Sequence, residues 1–129
     1  MSVTTVKIEF DGENKGELKA SSTTALGAVG FAPYELILGG LGACLNHTFQ
    51  SVVDKQRLSI DAIEYEITGT KREEIPTTLK EVVINAVVSG VEAGKEDKIQ
   101  KAFDKACEYC SMYSTLSNVA DMKPTLTFK

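Results

Sequence analysis

The segment from Pro33 to Arg57 limits the fold more than any other part of this chain. Leu36, Leu38, Leu41, Cys44, Leu45, Thr48, Phe49, Val52 and Val53 recur at helical spacing. Pro33 suits the first turn, because its missing N–H would be unpaired there anyway. The spacing predicts a helix of about twenty-two residues, about 33 Å long. Its first half, Leu36 to Leu45, is apolar on every side, and a helix apolar all round must be buried all round. Gly39, Gly40 and Gly42 interrupt that half, each costing about 1 kcal/mol relative to alanine. Another backbone or a ligand is therefore expected to come close there. The apolar run stops at Asn46, His47 and Gln50, short of a bilayer span, so no membrane association is expected.

The flanking segments read as strands and shorter helices. Val6, Ile8 and Phe10 alternate along a strand, Asp11 to Gly16 is a turn, and Glu17 to Ala20 is a returning strand. Ser21 to Ala32, small, polar and glycine-dotted, reads as a loop. Ile60 to Thr70 is a strand with Ile63, Tyr65 and Ile67 on one face, and Thr78 to Val88 is a second β-rich run. Lys95 to Tyr109 is an amphipathic helix whose buried stripe is Ile99, Ala102, Phe103, Ala106 and Tyr109. Ser111 to Val119 is a short helix with Leu116 inside, and Thr125 to Phe128 is a closing strand. Strands paired with neighbours and separated by helices define an α+β fold, read as one domain over residues 1–129. One sheet and two shorter helices do not supply enough cover for the central helix. A second copy of the chain is the expected source of the rest, as an intimate homodimer.

Composition narrows the function. A net charge of −4, with lysine and arginine scattered singly, excludes the concentrated positive field that a nucleic-acid or anionic-membrane surface needs. The N-terminus has neither a basic segment nor a long apolar stretch, so a cytoplasmic protein without a secretory signal is expected. Three cysteines are an odd number, and in a reducing compartment they read as free thiols, redox groups or metal ligands rather than structural staples.

Cys44 sits mid-helix. It reads either as a small core hydrophobe or as a nucleophile, with His47 one turn along the same face able to accept its proton. Cys107-Glu108-Tyr109-Cys110 is a CxxC at the C-terminal end of a helix, where the dipole disfavours a thiolate. Cys44, His47, Cys107 and Cys110 also formally match a Cys3His zinc set, although structural zinc pairs sit on knuckles rather than mid-helix. Glu35 at the start of the central helix is favourable to the helix dipole.

Pro33-Tyr34-Glu35-Leu36-Ile37-Leu38-Gly39-Gly40-Leu41-Gly42-Ala43-Cys44, followed by Cys110-Ser111-Met112-Tyr113-Ser114-Thr115-Leu116, resembles the OsmC/Ohr family of osmotically inducible and organic-hydroperoxide-resistance proteins. The first block is similar to its P-x-E-L-L-L-x-x-L-G-x-C signature and the second to its C-P-V-x-x-T-L block. The resemblance implies an intertwined homodimer, with long central helices wrapped by antiparallel-rich sheets. It implies a thiol peroxidase that reduces organic hydroperoxides or hydrogen peroxide, with Cys44 as the peroxidatic and Cys110 as the resolving residue. Tyr34, Glu35 and His47 stand as supporting residues. No metal or bound cofactor is implied, only an external dithiol reductant such as a dihydrolipoyl group. The chain departs from the family pattern in three places. It has no arginine before Arg57, it carries Tyr34 where the Ohr branch has a glutamate, and Ser111-Met112 replaces Pro-Val. A buried thiol without a cation is expected to have a raised pKa. The alternative is therefore a non-enzymatic dimer that binds a small apolar ligand in a pocket around Gly39, Gly40 and Cys44.

Overall fold

Alternation decides the sheet. The structure, a computed structural model, describes residues 2–20 and 31–129. Strand β1 (Val3–Asp11) buries Val6, Ile8 and Phe10 and turns at Asp11 to Gly16 into β2 (Gly16–Ala20). Strand β3 (Ala62–Lys71) buries Ile63, Tyr65 and Ile67. Strand β4 (Leu79–Ser89) buries Val82, Ile84, Ala86 and Val88, with a register shift at Thr70/Lys71 that also brings Leu79 inward. The strand order is β2-β1-β3-β4-β5, antiparallel except for the last pair. Register sets Val6 beside Ile67, Ile8 beside Tyr65 and Phe10 beside Ile63, so each strand's apolar residues fall on one face. Phe10 meets Tyr65 edge-on, with ring centroids 5.9 Å apart. The opposite face carries the Thr5–Thr68 hydroxyl bond and the Lys7–Glu66 ion pair.

All three helices pack on the apolar side. Helix α1 (Pro33–Lys55) lies against β1 and β3. Leu38, Leu41, Leu45, Phe49 and Val53 are fully buried along it, at the expected period. Gly42 lets it press close, since a Cβ there would stand 2.4 Å from Ile8 Cδ1 and 3.1 Å from Ile67 Cδ1. Gly39 does the same beneath Leu18, 2.7 Å away. The neighbour expected at these glycines, another backbone or a ligand, is instead a sheet side chain at Gly39 and Gly42, and Gly40 has no close neighbour beyond Met112 Cε at 3.8 Å among the described residues.

Within one chain the first half of α1 is not buried all round. Leu36 is 39% exposed and Ala43 is exposed, because the sheet and the two remaining helices cover only part of the cylinder. Taken over all 23 residues, α1 is long and apolar enough to cross a bilayer, contrary to the reading of its ten-residue apolar run. Half of its most apolar stretch is buried inside the fold, along with Glu35, Asn46 and Gln50.

Helix α2 (Glu96–Tyr109) runs over α1, with Phe103 packed edge-on to Phe49 at 6.0 Å. Its buried stripe is Ile99, Ala102, Phe103, Ala106 and Cys107. Tyr109, expected in that stripe, is instead 66% exposed, because the stripe leans toward the Cys107 side and Tyr109 falls on its other edge. Helix α3 (Ser111–Ser117) follows at once, with Leu116 buried. Strand β5 (Asp121–Phe128) then pairs parallel to β4, so α2 and α3 form the crossover. It begins earlier than its alternation indicated, because Pro124 masks the pattern. Proline fits there because, among the described residues, β5 has a strand neighbour on one side only. The loop expected over Ser21 to Ala32 lies outside the described residues except for Phe31 and Ala32.

Phe49 joins α1 to α2 at the centre of the core. Phe49→Ala is expected to lower unfolding free energy by about 3–5 kcal/mol, read as a lower urea midpoint.

Candidate active site

The site lies where α1 meets the corner between α2 and α3. Cys44 is half-buried on α1 and partly packed against the core, because the helical period turns Leu41 and Leu45 toward the sheet and leaves Cys44 on the flank. Cys110 is the corner itself. Its backbone (φ −69°, ψ 121°) ends α2 and begins α3, its N–H donates to the Ala106 carbonyl, and its sulfur accepts from the Tyr113 N–H at 3.5 Å. The dipole argument drawn from the CxxC is thus altered, because Cys110 opens a second helix as it closes the first.

The two thiols are close enough that each shifts the other's ionisation, Cys110 acting as donor toward the Cys44 sulfur. Burial pushes the Cys44 thiol up, but the donors around it outweigh burial. They are the Met112 N–H, the Cys110 thiol, the Ser111 hydroxyl at 3.7 Å and the Ser111 N–H. The result is a thiol held below its ordinary value. The raised pKa expected in the absence of arginine is therefore corrected: hydrogen bonds lower it instead. Cys110 moves the opposite way, pushed up to about 11, first by burial and then by its contact with the Cys44 sulfur. Cys107, buried on α2, is pushed up to about 12 by burial, with Asp104 and Cys110 adding to it. All three cysteines are free thiols.

The other candidates fall elsewhere. Glu35 is fully buried in the first turn of α1, where its carboxylate accepts the Ala32 N–H at 2.7 Å, and Ala32 itself offers no side-chain oxygen. Tyr34 lies under Lys71, whose Nζ is 4.0 Å from the ring centroid. His47 is exposed and opens on a shallow polar depression with Glu13, Asn14, Gln50 and Asp54, away from the thiols. Gly39 is filled by Leu18, whereas Gly40 faces the Met112 Cε at 3.8 Å. Among the described residues no group of three or more His, Cys, Asp or Glu side chains gathers as a metal would require. Lys7 and Lys15 pair with Glu66 and Glu13.

Sequence reasoning missed Ser111 and Met112 as donors, although the first residues of any helix carry unpaired N–H groups. It also missed a buried chain from Tyr65 Oη to Asn46 Oδ1 (2.9 Å) and from Asn46 Nδ2 to Asn14 Oδ1 (2.6 Å). This chain ties α1 to β3 and to the β1–β2 turn.

Fold and site together define an α+β domain with a pair of interacting thiols against a long central helix. The chain belongs to the OsmC-like protein family, whose family model matches residues 22–125. Among curated proteins, none matches it. Among solved structures, a hypothetical protein from Aquifex aeolicus VF5 is similar over 100% of this chain and 98% of its own, at 25% identity and a TM-score of 0.70. An OsmC-like protein from Mycoplasma pneumoniae covers 98% of this chain and 95% of its own, at 16% identity and a TM-score of 0.69. A protein from Legionella pneumophila described as "organic hydroperoxide resistance protein OsmC, predicted redox protein, regulator of sulfide bond formation" covers 96% of each chain, at 18% identity and a TM-score of 0.65.

Reactivity follows thiolate content, so the three cysteines should separate by pH. Iodoacetamide at pH 8, read by peptide mass spectrometry, is expected to label Cys44 first. Labelling of Cys110 and Cys107 should stay slow until the pH nears 11 and 12.

Proposed function

We propose that this chain is a thiol-dependent peroxidase acting on organic hydroperoxides or hydrogen peroxide. The observation that carries the reading is the asymmetry of the thiol pair: Cys44 is held below its ordinary pKa, while Cys110, in contact with it, stays protonated up to about 11. A nucleophile that ionises more readily than its neighbour, and a neighbour that keeps its proton, suit a two-step thiol cycle. Family membership and the Legionella neighbour's description support the same class of chemistry.

In the first step the Cys44 thiolate attacks the terminal peroxide oxygen. The S–O bond forms, the O–O bond breaks, and the alkoxide leaves as the alcohol after taking a proton from water. Cys44 is oxidised to the sulfenic acid and the peroxide is reduced. In the second step the Cys110 sulfur attacks the Cys44 sulfur and the S–OH bond breaks. Hydroxide departs with the Cys110 proton as water, leaving a Cys44–Cys110 disulfide. An external dithiol then exchanges with that disulfide, returning both thiols and leaving as its own disulfide. No metal or resident cofactor enters the cycle.

The working unit in this reading is a cytoplasmic homodimer. The open flank of α1, with Leu36 and Ala43 uncovered beside Cys44, is apolar surface that a second copy would bury. Sedimentation is expected to give a particle of two chains, and a single-chain particle would reject this part of the reading.

Wild-type protein with a dithiol reductant should consume cumene hydroperoxide, and Cys44→Ser should reduce consumption to background. Cys110→Ser should still make one sulfenic acid per chain, trapped by dimedone. Wild-type turnover no faster than that of a cysteine-free variant would end the proposal.

A further inference from the structure

We infer that Ser111 is a catalytic residue of this site, its hydroxyl binding the Cys44 sulfur directly in place of a cation and its helix-start N–H serving as a second donor; the inference rests on the peroxidase reading above. The Ser111 Oγ lies 3.7 Å from Cys44 Sγ, across a sequence separation of 67 residues, so α1 and the α2–α3 corner must be assembled for the contact to exist. Ser111 is also the first residue of α3, where a backbone N–H has no partner inside the helix and is free to point at the sulfur.

These are two donors from one residue, and their presence depends on which residue it is. Proline, which stands here in the family pattern that the sequence resembles, has neither a hydroxyl nor an N–H. The same chain that lacks the early arginine therefore carries, next to its resolving cysteine, a residue able to donate twice.

Among the described residues, no Lys, Arg, His, Asp or Glu side chain is among the groups that act on Cys44. On α2 and α3, Asp104 acts on Cys107, and Cys107 acts on Cys110 and Tyr113. On α1 itself, His47 is directed to the depression beside Glu13 and Asp54. From the sheet side, Lys7 pairs with Glu66 and Lys71 stacks on Tyr34. Among the described residues, the titratable group that acts on Cys44 is Cys110, and it acts as a donor.

The test is the pH profile of Cys44 alkylation by iodoacetamide, resolved by site in the full-length protein. It compares wild type with Ser111→Ala, Ser111→Thr and Ser111→Pro. Removing the hydroxyl in Ser111→Ala should move the profile to higher pH and slow alkylation near neutrality about threefold to tenfold, with Thr restoring it. Ser111→Pro should slow it further, because it removes the N–H as well. That variant should fold, since proline is accepted at the first position of a helix and Cys110 already has the extended backbone that precedes proline. A Ser111→Ala profile that superimposes on wild type would overturn the inference. Peroxide turnover measured in parallel separates the two claims. Cys44-dependent turnover with an unmoved alkylation profile rejects Ser111 and keeps the peroxidase. A moved profile without turnover keeps Ser111 as a thiolate donor and rejects the peroxidase.

Discussion

The close seat of α1 on the sheet is the constraint from which the rest follows. A helix whose first half is apolar on every side is driven to bury as much of itself as it can, and the face it buries within the chain is the one that presses Gly39 and Gly42 onto Leu18, Ile8 and Ile67. That contact fixes both the rotation and the height of the helix. With Leu38, Leu41, Leu45 and Phe49 locked inward, the position of Cys44 on the flank is no longer free. The Tyr65–Asn46–Asn14 chain adds a polar lock one turn beyond, where a slip of the helix would strand buried amide groups.

The chemistry of the site is set by backbone as much as by side chains. Cys110 closes one helix and opens the next, which sets its sulfur on the Tyr113 N–H and brings the following Ser111 to Cys44. Three thiols in one region thereby acquire different characters. Cys107, with burial and a carboxylate against it, keeps its proton; Cys110 does so more weakly; Cys44, surrounded by donors, gives its proton up most readily. Proximity alone would have made them alike.

Much of this could be read from the residues alone. The alternation of Val6, Ile8 and Phe10 and of Ile63, Tyr65 and Ile67 placed the strands, and the helical period from Leu36 to Val53 placed α1, because burial on one face leaves its period in the sequence. Cys44 and Cys110 were legible through the two blocks of the family pattern. The misses have physical causes. Tyr109 looked buried because an aromatic at the edge of a stripe fits the pattern by composition, while the smaller Cys107 takes the inner position. The parallel pairing of β5 depends on how the crossover is routed, which no local pattern encodes. The donors on Cys44 come from residues 111 and 112, and hydrogen bonds across that distance exist only once the tertiary structure does.

The edge strand β5 has a consequence for how copies of this chain can meet. Its outer rim is the side on which another molecule's strand would add, and the sheet would then propagate from chain to chain. Pro124 removes a hydrogen-bond donor from the middle of that strand, and the charged Lys123, tied to Glu81, sits beside it. That border is therefore a poor template for strand-by-strand recruitment, so growth of the sheet from chain to chain is disfavoured at this edge.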